Sequence, residues 1–329
     1  MSNTLRAALL ALALALTGPA AAFGSKEGGA TSAGFLKLGA DARAAAMGTA
    51  VSADVSDASA VFWNPAGLAT LRYRHATFSH STCYQTTFQD FLAYAQPLEA
   101  PRSRNPREQD LRPDQLGSLA AAVLYHNSGS LQEVDNTGTP TGQAFTPQDL
   151  AVMLGWGATL MRGIDVGITM KYVSSKIVAS AATGAVDIGA RWRTVVFATE
   201  AGYSLSAVVR NMGGPLKFHE SSDPIPLAVV IGQALRPLRS LTLSADLTQP
   251  RERAAYASFG AEWSAPMTAG MTGALRAGYD GRLTSNDVSG VTGATLGGGL
   301  GFDRLGFDYA WSPTGELGSA HRLSLSYRF

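Results

Sequence analysis

The chain has little charge for its length. Only 16% of its 329 residues are Asp, Glu, Lys or Arg, and the formal net charge is +1. A nucleic-acid footprint needs a strong basic field, so that class is excluded. There is one cysteine, Cys83, so no internal disulfide framework is available. After the first 22 residues no stretch reaches the roughly 18 apolar residues of a spanning helix, which excludes a helical membrane protein. Catalytic spacing is missing too. The five histidines (His75, His80, His126, His219, His321) are scattered without zinc-site spacing. Gly297-Gly298-Gly299 with Gly301 has no P-loop lysine after it. No G-x-S-x-G elbow occurs. The expectation is a non-enzyme with no cofactor and no metal site.

Glycine, in contrast, is abundant, at 36 of 329 residues. At the start, Arg6 precedes an apolar run from Ala7 to Leu16, Gly18-Pro19 breaks it, and Ala20-Ala21-Ala22 offers a small-x-small site before Phe23. That is the layout of a cleaved secretory signal peptide over residues 1–22. At the other end, Leu323, Leu325, Tyr327 and Phe329 share one face, and Arg322, Ser324, Ser326 and Arg328 the other. A period of two places a β-strand between two different solvents. A closing aromatic strand resembles the terminal strand of bacterial outer-membrane proteins. Tyr327 and Phe329 are therefore the expected barrel-assembly signal, with outer-membrane lipid and the assembly machinery as partners.

From about Leu71 the pattern repeats. Ile164, Val166, Ile168, Met170 and Tyr172 alternate with Asp165, Gly167, Thr169 and Lys171. Phe259, Ala261 and Trp263 alternate with Ser258, Gly260 and Glu262; Arg276 and Asp308 sit on the polar faces of two later segments. Roughly fourteen such segments of about ten residues fit an antiparallel transmembrane barrel over 71–329. Their apolar faces meet lipid, and Lys171, Glu262, Arg276 and Asp308 point into the lumen. Aromatic residues near segment ends (Tyr172, Trp263, Tyr279, Trp311, Tyr327) match interfacial girdles. Long connections (Ser128–Gln148, Asn211–Ile225, Asp280–Gly293) alternate with short ones, as extracellular loops do with periplasmic turns. Glu99–Leu116, charged and proline-rich, breaks the alternation; it reads as a disordered insertion or as a periplasmic docking tail.

Residues 23–70 are not strand-like. Small residues let such a segment pack inside a narrow lumen, and Ala40 to Met47 reads as a short helix. Pro65 stiffens the exit toward the first strand and Asn64 suits a turn. If Arg43, Asp41, Asp54 and Asp57 are buried they need partners, so salt bridges to the wall are expected.

This segment also carries a resemblance. Gly39-Ala40-Asp41-Ala42-Arg43 through Gly48, then Asp57-Ala58-Ser59 and Trp63-Asn64-Pro65-Ala66-Gly67-Leu68, is similar to the PorV/PorQ family within the FadL-like outer-membrane barrels. Arg210-Asn211-Met212-Gly213 and Phe307-Asp308-Tyr309-Ala310-Trp311 continue it. The resemblance implies a fourteen-stranded barrel in the bacterial outer membrane with an N-terminal hatch. Arg43, Asp54, Asp57, Trp63, Asn64, Pro65 and Gly67 are the hatch candidates, as structural cap or as gate. Two functions follow from it. A PorV-like protein binds secreted cargo or a type IX translocon through its outer loops, and the closer signature favours this reading. A FadL-like protein passes a hydrophobic ligand through the barrel and sideways into the bilayer. That needs an apolar lumen, whereas the inward positions named above are polar. Leu216, Phe218, Ile225 and Leu227 form an expected surface apolar patch that suits either. A plain scaffold is the third reading.

Overall fold

The computed structural model describes residues 31–82, 86–99, 115–135, 137–195, 202–218, 221–283 and 290–329. The signal-peptide reading, Cys83, and most of 99–116 lie outside these residues.

Eighteen strands follow one another: β1 (His75–Thr82), β2 (Phe88–Glu99), β3 (Gln115–Asn127), β4 (Leu131–Val134), β5 (Pro140–Phe145), β6 (Gln148–Met161), β7 (Ile164–Lys176), β8 (Ser180–Val195), β9 (Gly202–Gly213), β10 (Leu216–Phe218), β11 (Ser221–Asp223), β12 (Ala228–Leu238), β13 (Leu241–Pro250), β14 (Tyr256–Thr268), β15 (Met271–Asp280), β16 (Ala294–Phe302), β17 (Leu305–Pro313) and β18 (Ser319–Arg328). Fourteen close into one barrel in the order β1-β18-β17-β16-β15-β14-β13-β12-β9-β8-β7-β6-β3-β2. The hairpins β4–β5 and β10–β11 stand in the two longest described loops. Every barrel pair is antiparallel, and β1 closes on β18 from His75↔Arg328 to Thr82↔His321. Closure satisfies every strand edge, which a lipid environment demands.

The alternation expected along each strand holds in space. In β7, Asp165, Thr169, Lys171 and Val173 are buried while Ile168, Met170 and Tyr172 are exposed. In β18, Arg322 and Ser324 are inward and Leu323 and Leu325 are outward. Exposed leucines, isoleucines and aromatics thus form an apolar outer wall, and the molecule is an outer-membrane β-barrel. Loop length alternates less regularly than the sequence suggests. The β7–β8 connection on the extracellular side is only three residues, Ile177 to Ala179. Of the strand expected over 195–210, Val195 belongs to the end of β8 and Gly202 onward to β9, with the residues between outside those described.

Residues 31–71 lie inside the barrel. They form a 3-10 turn (Gly34–Lys37), a short helix (Ala42–Ala46), another (Ala60–Trp63) and a 3-10 segment (Pro65–Thr70). Asp41 caps the first helix by accepting the Ala44 amide at 2.9 Å. Helices this short owe their stability to packing rather than propensity, and here alanines make close packing against the wall cheap. Glycines on the wall's inward positions do the rest. A Cβ on Gly260 would sit 2.6 Å from the Met47 carbonyl oxygen, and one on Gly155 would sit 2.8 Å from Val61 Cγ2. The wall thus meets plug backbone at Gly260 and the Val61 side chain at Gly155, and a larger side chain at either would lift the plug away.

Candidate functional site

The ion pairs tying plug to wall form one chain of charges. Arg43 donates to Asp54 at 2.5 Å and, through Nε, to Glu262 at 2.9 Å. Glu262 also accepts Arg276 at 2.5 Å, and Arg276 reaches Asp308 at 2.6 Å. At the other end Asp54 accepts Arg236. Three of the four lumen candidates and two hatch candidates thus meet in one network. Burial by itself would pull Arg43 down, but Glu262 and Asp54 outweigh it and hold the guanidinium above its ordinary range.

The remaining hatch residues hold the plug's own shape. Trp63 Nε1 donates to Asp41 at 2.6 Å, and its ring lies 5.3 Å below the Arg210 guanidinium. Burial, then the nearby Asp57 carboxylate, push Asp41 above the ordinary carboxylate range, against the Ala44 amide, Trp63 and Arg322. Asn64 accepts from the Ala66 amide at 3.0 Å and donates to the Ser52 carbonyl at 2.7 Å. Pro65 opens the 3-10 segment, where its missing N–H costs nothing. Gly67 is required because a Cβ would lie 2.5 Å from the Val55 carbonyl oxygen. Asp57 accepts the Ser59 amide at 2.8 Å and its hydroxyl at 2.6 Å, shaping the turn into the helix Ala60–Trp63.

Lys171 stands apart from the network. It pairs with Asp187 at 2.6 Å, donates to Asn211 at 2.8 Å and lies 5.5 Å from the Phe62 ring centre. Asn211 is brought there by a break in register between β8 and β9, with φ of 57°. The extra residue turns both Arg210 and Asn211 inward. Arg210 donates to the Trp63 carbonyl at 2.9 Å, and the Asn211 amide donates to Asp187 at 2.7 Å.

Several residues escaped the reading of the sequence. Asp165 accepts both Arg191, at 3.1 Å, and Arg193, at 2.6 Å, and Arg191 donates to the Val55 carbonyl at 2.8 Å. Asp246 accepts the Ser52 amide at 3.1 Å and its hydroxyl at 2.9 Å. The available signal was their inward parity; their partners lie far away in the chain.

The lumen is not uniformly polar, which corrects the expectation drawn from the charged inward positions. Phe91, Ala93, Ala122, Leu124, Ala151 and Met153, on β2, β3 and β6, form an inner apolar wall. The plug presents Phe62 to it, 6.2 Å from Phe91 between ring centres. The expected surface patch is also corrected. Leu216 and Ile225 are 0% and 2% exposed, and Phe218 packs on the same core. The loop folds inward because Ser32 of the plug donates to the Asp223 carbonyl at 2.9 Å and Asn211 to the Pro226 carbonyl at 2.9 Å.

A cavity of about 60 Å³ lies between plug and wall, lined by Phe62, Trp63, Arg210, Asp246 and Tyr256 among others. Another, of about 290 Å³, lies below it between Asp54, Arg193, Tyr203 and Arg236. The Arg43–Asp54–Arg236 contacts stand between the plug's body and this lower space. Among the described residues no cluster of His, Cys, Asp and Glu could hold a metal ion. At the rim where the chain ends, the Phe329 amide donates to the Arg74 carbonyl at 3.0 Å. Its ring packs on Tyr327 at 4.7 Å, so both terminal aromatics sit at the closing seam.

No family profile matches the chain. No curated protein matches it in sequence either. Solved structures do share its fold. The Pseudomonas putida toluene transporter TodX superposes with a TM-score of 0.57 at 10% identity, over 88% of this chain and 98% of TodX. The Ralstonia pickettii toluene transporter TbuX gives 0.54 at 12% identity, over 88% and 98%. A Pseudomonas aeruginosa FadL homologue gives 0.52 at 12% identity, over the same shares. TodX and TbuX are toluene transporters, and this chain shares their fold: a closed, fourteen-stranded antiparallel barrel matching FadL-like outer-membrane barrels.

Proposed function

We propose that this protein is an outer-membrane channel for small hydrophobic molecules, closed by its residues 31–71. The observation that carries this reading is the apolar inner wall on β2, β3 and β6, faced by Phe62 and roofed by Leu216 and Ile225. That sector packs the plug in the closed barrel, and it is the surface a hydrophobic solute would meet once the plug shifts. A hydrophobic solute entering under the loop that carries Leu216 and Ile225 exchanges water for apolar surface, worth about 25 cal/mol per Å². The cavities are too small for continuous passage, so transport requires the plug to shift. The charge network is the contact that must yield. The transporter names of the structural neighbours agree with this direction. The secretion reading loses the exposed loop patch that it shared with transport, because those side chains turn inward.

The test is uptake by proteoliposomes holding the purified protein. Labelled toluene and a medium-chain alkanoate should enter faster than in protein-free liposomes, and a sugar should not. Equal entry of sugar and toluene, or no gain for either apolar solute, would overturn the proposal.

A further inference from the structure

The rim formed by the short turns is lined with arginine. Among the described residues, Arg72, Arg74, Arg162, Arg236, Arg239, Arg304 and Arg328 are all exposed there, against one exposed acid, Asp303. The opposite rim mixes signs, with Asp90, Glu133, Asp135 and Glu316 beside Lys176 and Lys217. Arg236 turns inward to Asp54. The others have a different setting: each adjoins, in the chain, a large exposed apolar side chain of the outer wall. Met161 (62% exposed) precedes Arg162, Leu238 (61%) precedes Arg239, Leu305 (45%) follows Arg304, and Tyr73 (62%) separates Arg72 from Arg74. Phe329 (53%) follows Arg328. Among the described residues, Arg72, Arg74, Arg162 and Arg304 form no ion pair.

We infer that this ring is a binding surface for anionic phospholipid headgroups of the periplasmic leaflet. The physical argument is one of depth. An exposed aliphatic or aromatic side chain marks the edge of the hydrocarbon, and a guanidinium one residue away reaches the phosphate layer. Guanidinium takes phosphate oxygens with two parallel hydrogen bonds, which favours it over lysine at such a surface. The arrangement also separates lipid from an acidic protein partner. The arginines occur at the β6–β7, β12–β13 and β16–β17 turns and at both chain ends of the barrel, so they surround the circumference. A protein would dock on one clustered side.

The inference concerns the outer wall and stands independently of what the lumen carries. The full-length protein is refolded into nanodiscs of phosphatidylcholine with one quarter phosphatidylglycerol. Retained lipid is then counted after mild detergent extraction. Phosphatidylglycerol should be enriched about threefold over its share in the disc, and the enrichment should collapse in high salt. A variant with Arg74, Arg162, Arg239 and Arg304 each changed to Gln should lose it, while still showing the heat-modifiable mobility of a folded barrel. If that variant fails to fold, the salt series on the unaltered protein decides. Overturning outcomes are retention in proportion to disc composition, salt-insensitive enrichment, undiminished enrichment in a folded variant, or capture of an acidic periplasmic protein without lipid preference.

Discussion

Two sides of the same lumen hold the plug by different physics. On β2, β3 and β6 the contact is apolar, from Phe91, Leu124, Ala151 and Met153 against Phe62. On β14, β15 and β17 it is ionic, from Glu262, Arg276 and Asp308 against Arg43. Apolar contact is non-directional and tolerates sliding. A network of charges in a confined space has one good geometry and loses much when any member is left alone. The ionic side therefore sets where the plug sits, and the apolar side is the surface that the proposed transport would use. The glycines at 155 and 260, one on each side, let the plug approach both walls closely, through the Val61 side chain at Gly155 and the Met47 backbone at Gly260.

The comparison can be broken most severely by removing the plug. Deletion of Gly24–Ala69 should leave a barrel whose conductance in planar bilayers is far above that of the intact protein; unchanged conductance would show that the segment closes nothing. Next in size is Glu262→Ala, which leaves Arg43 with Asp54 alone and Arg276 with Asp308 alone. A loss of about 3 kcal/mol in stability is expected from Glu262's two charge-assisted contacts, at about 1.5–3 kcal/mol each, read from the denaturant midpoint in micelles, with Glu262→Gln losing less. Phe91→Ala on the apolar side should cost about 3 kcal/mol by opening a cavity, yet raise toluene uptake, whereas Glu262→Gln should not favour apolar solutes. Gly260→Val should cost about 1–3 kcal/mol through overpacking and leave the plug more open to protease. The smallest effect concerns pH. The folded-state pKa of Asp41 is raised above its ordinary 3.8. Its contribution to stability is therefore fully present below 3.8 and is lost as pH rises through the higher folded value. Asp41→Asn should flatten that part of the stability–pH curve; an unchanged slope would place the titration elsewhere.

Much of the barrel was legible in the chain. Strand number and inward faces follow from period-two alternation, because each strand meets lipid on one side. β7 and β14 show this residue by residue. The helix over Ala42–Ala46 and the turn role of Asn64 were likewise local matters. What misled was the inference from a few inward charges to a polar lumen. Glu262, Arg276 and Asp308 stand out in the sequence, but the alanines and the single Phe91 and Met153 that line the other side do not. Alanine is equally at home in a wall, a helix or a turn. The Leu216–Leu227 loop misled for a related reason: apolar residues in a loop look exposed until something is seen to bind them inward.

The sequence alone thus determined an outer-membrane barrel of about fourteen antiparallel strands, which strand residues face outward, and the turn at Asn64. Those features depend on solvent partition and on neighbours a few residues apart. Only the tertiary structure decided that Arg43 meets Asp54 and Glu262, that Arg210 and Asn211 both turn inward, and that the apolar sector lies on β2, β3 and β6. The longest of those contacts joins residues 219 positions apart. They depend on strand register and closure, which no local pattern encodes.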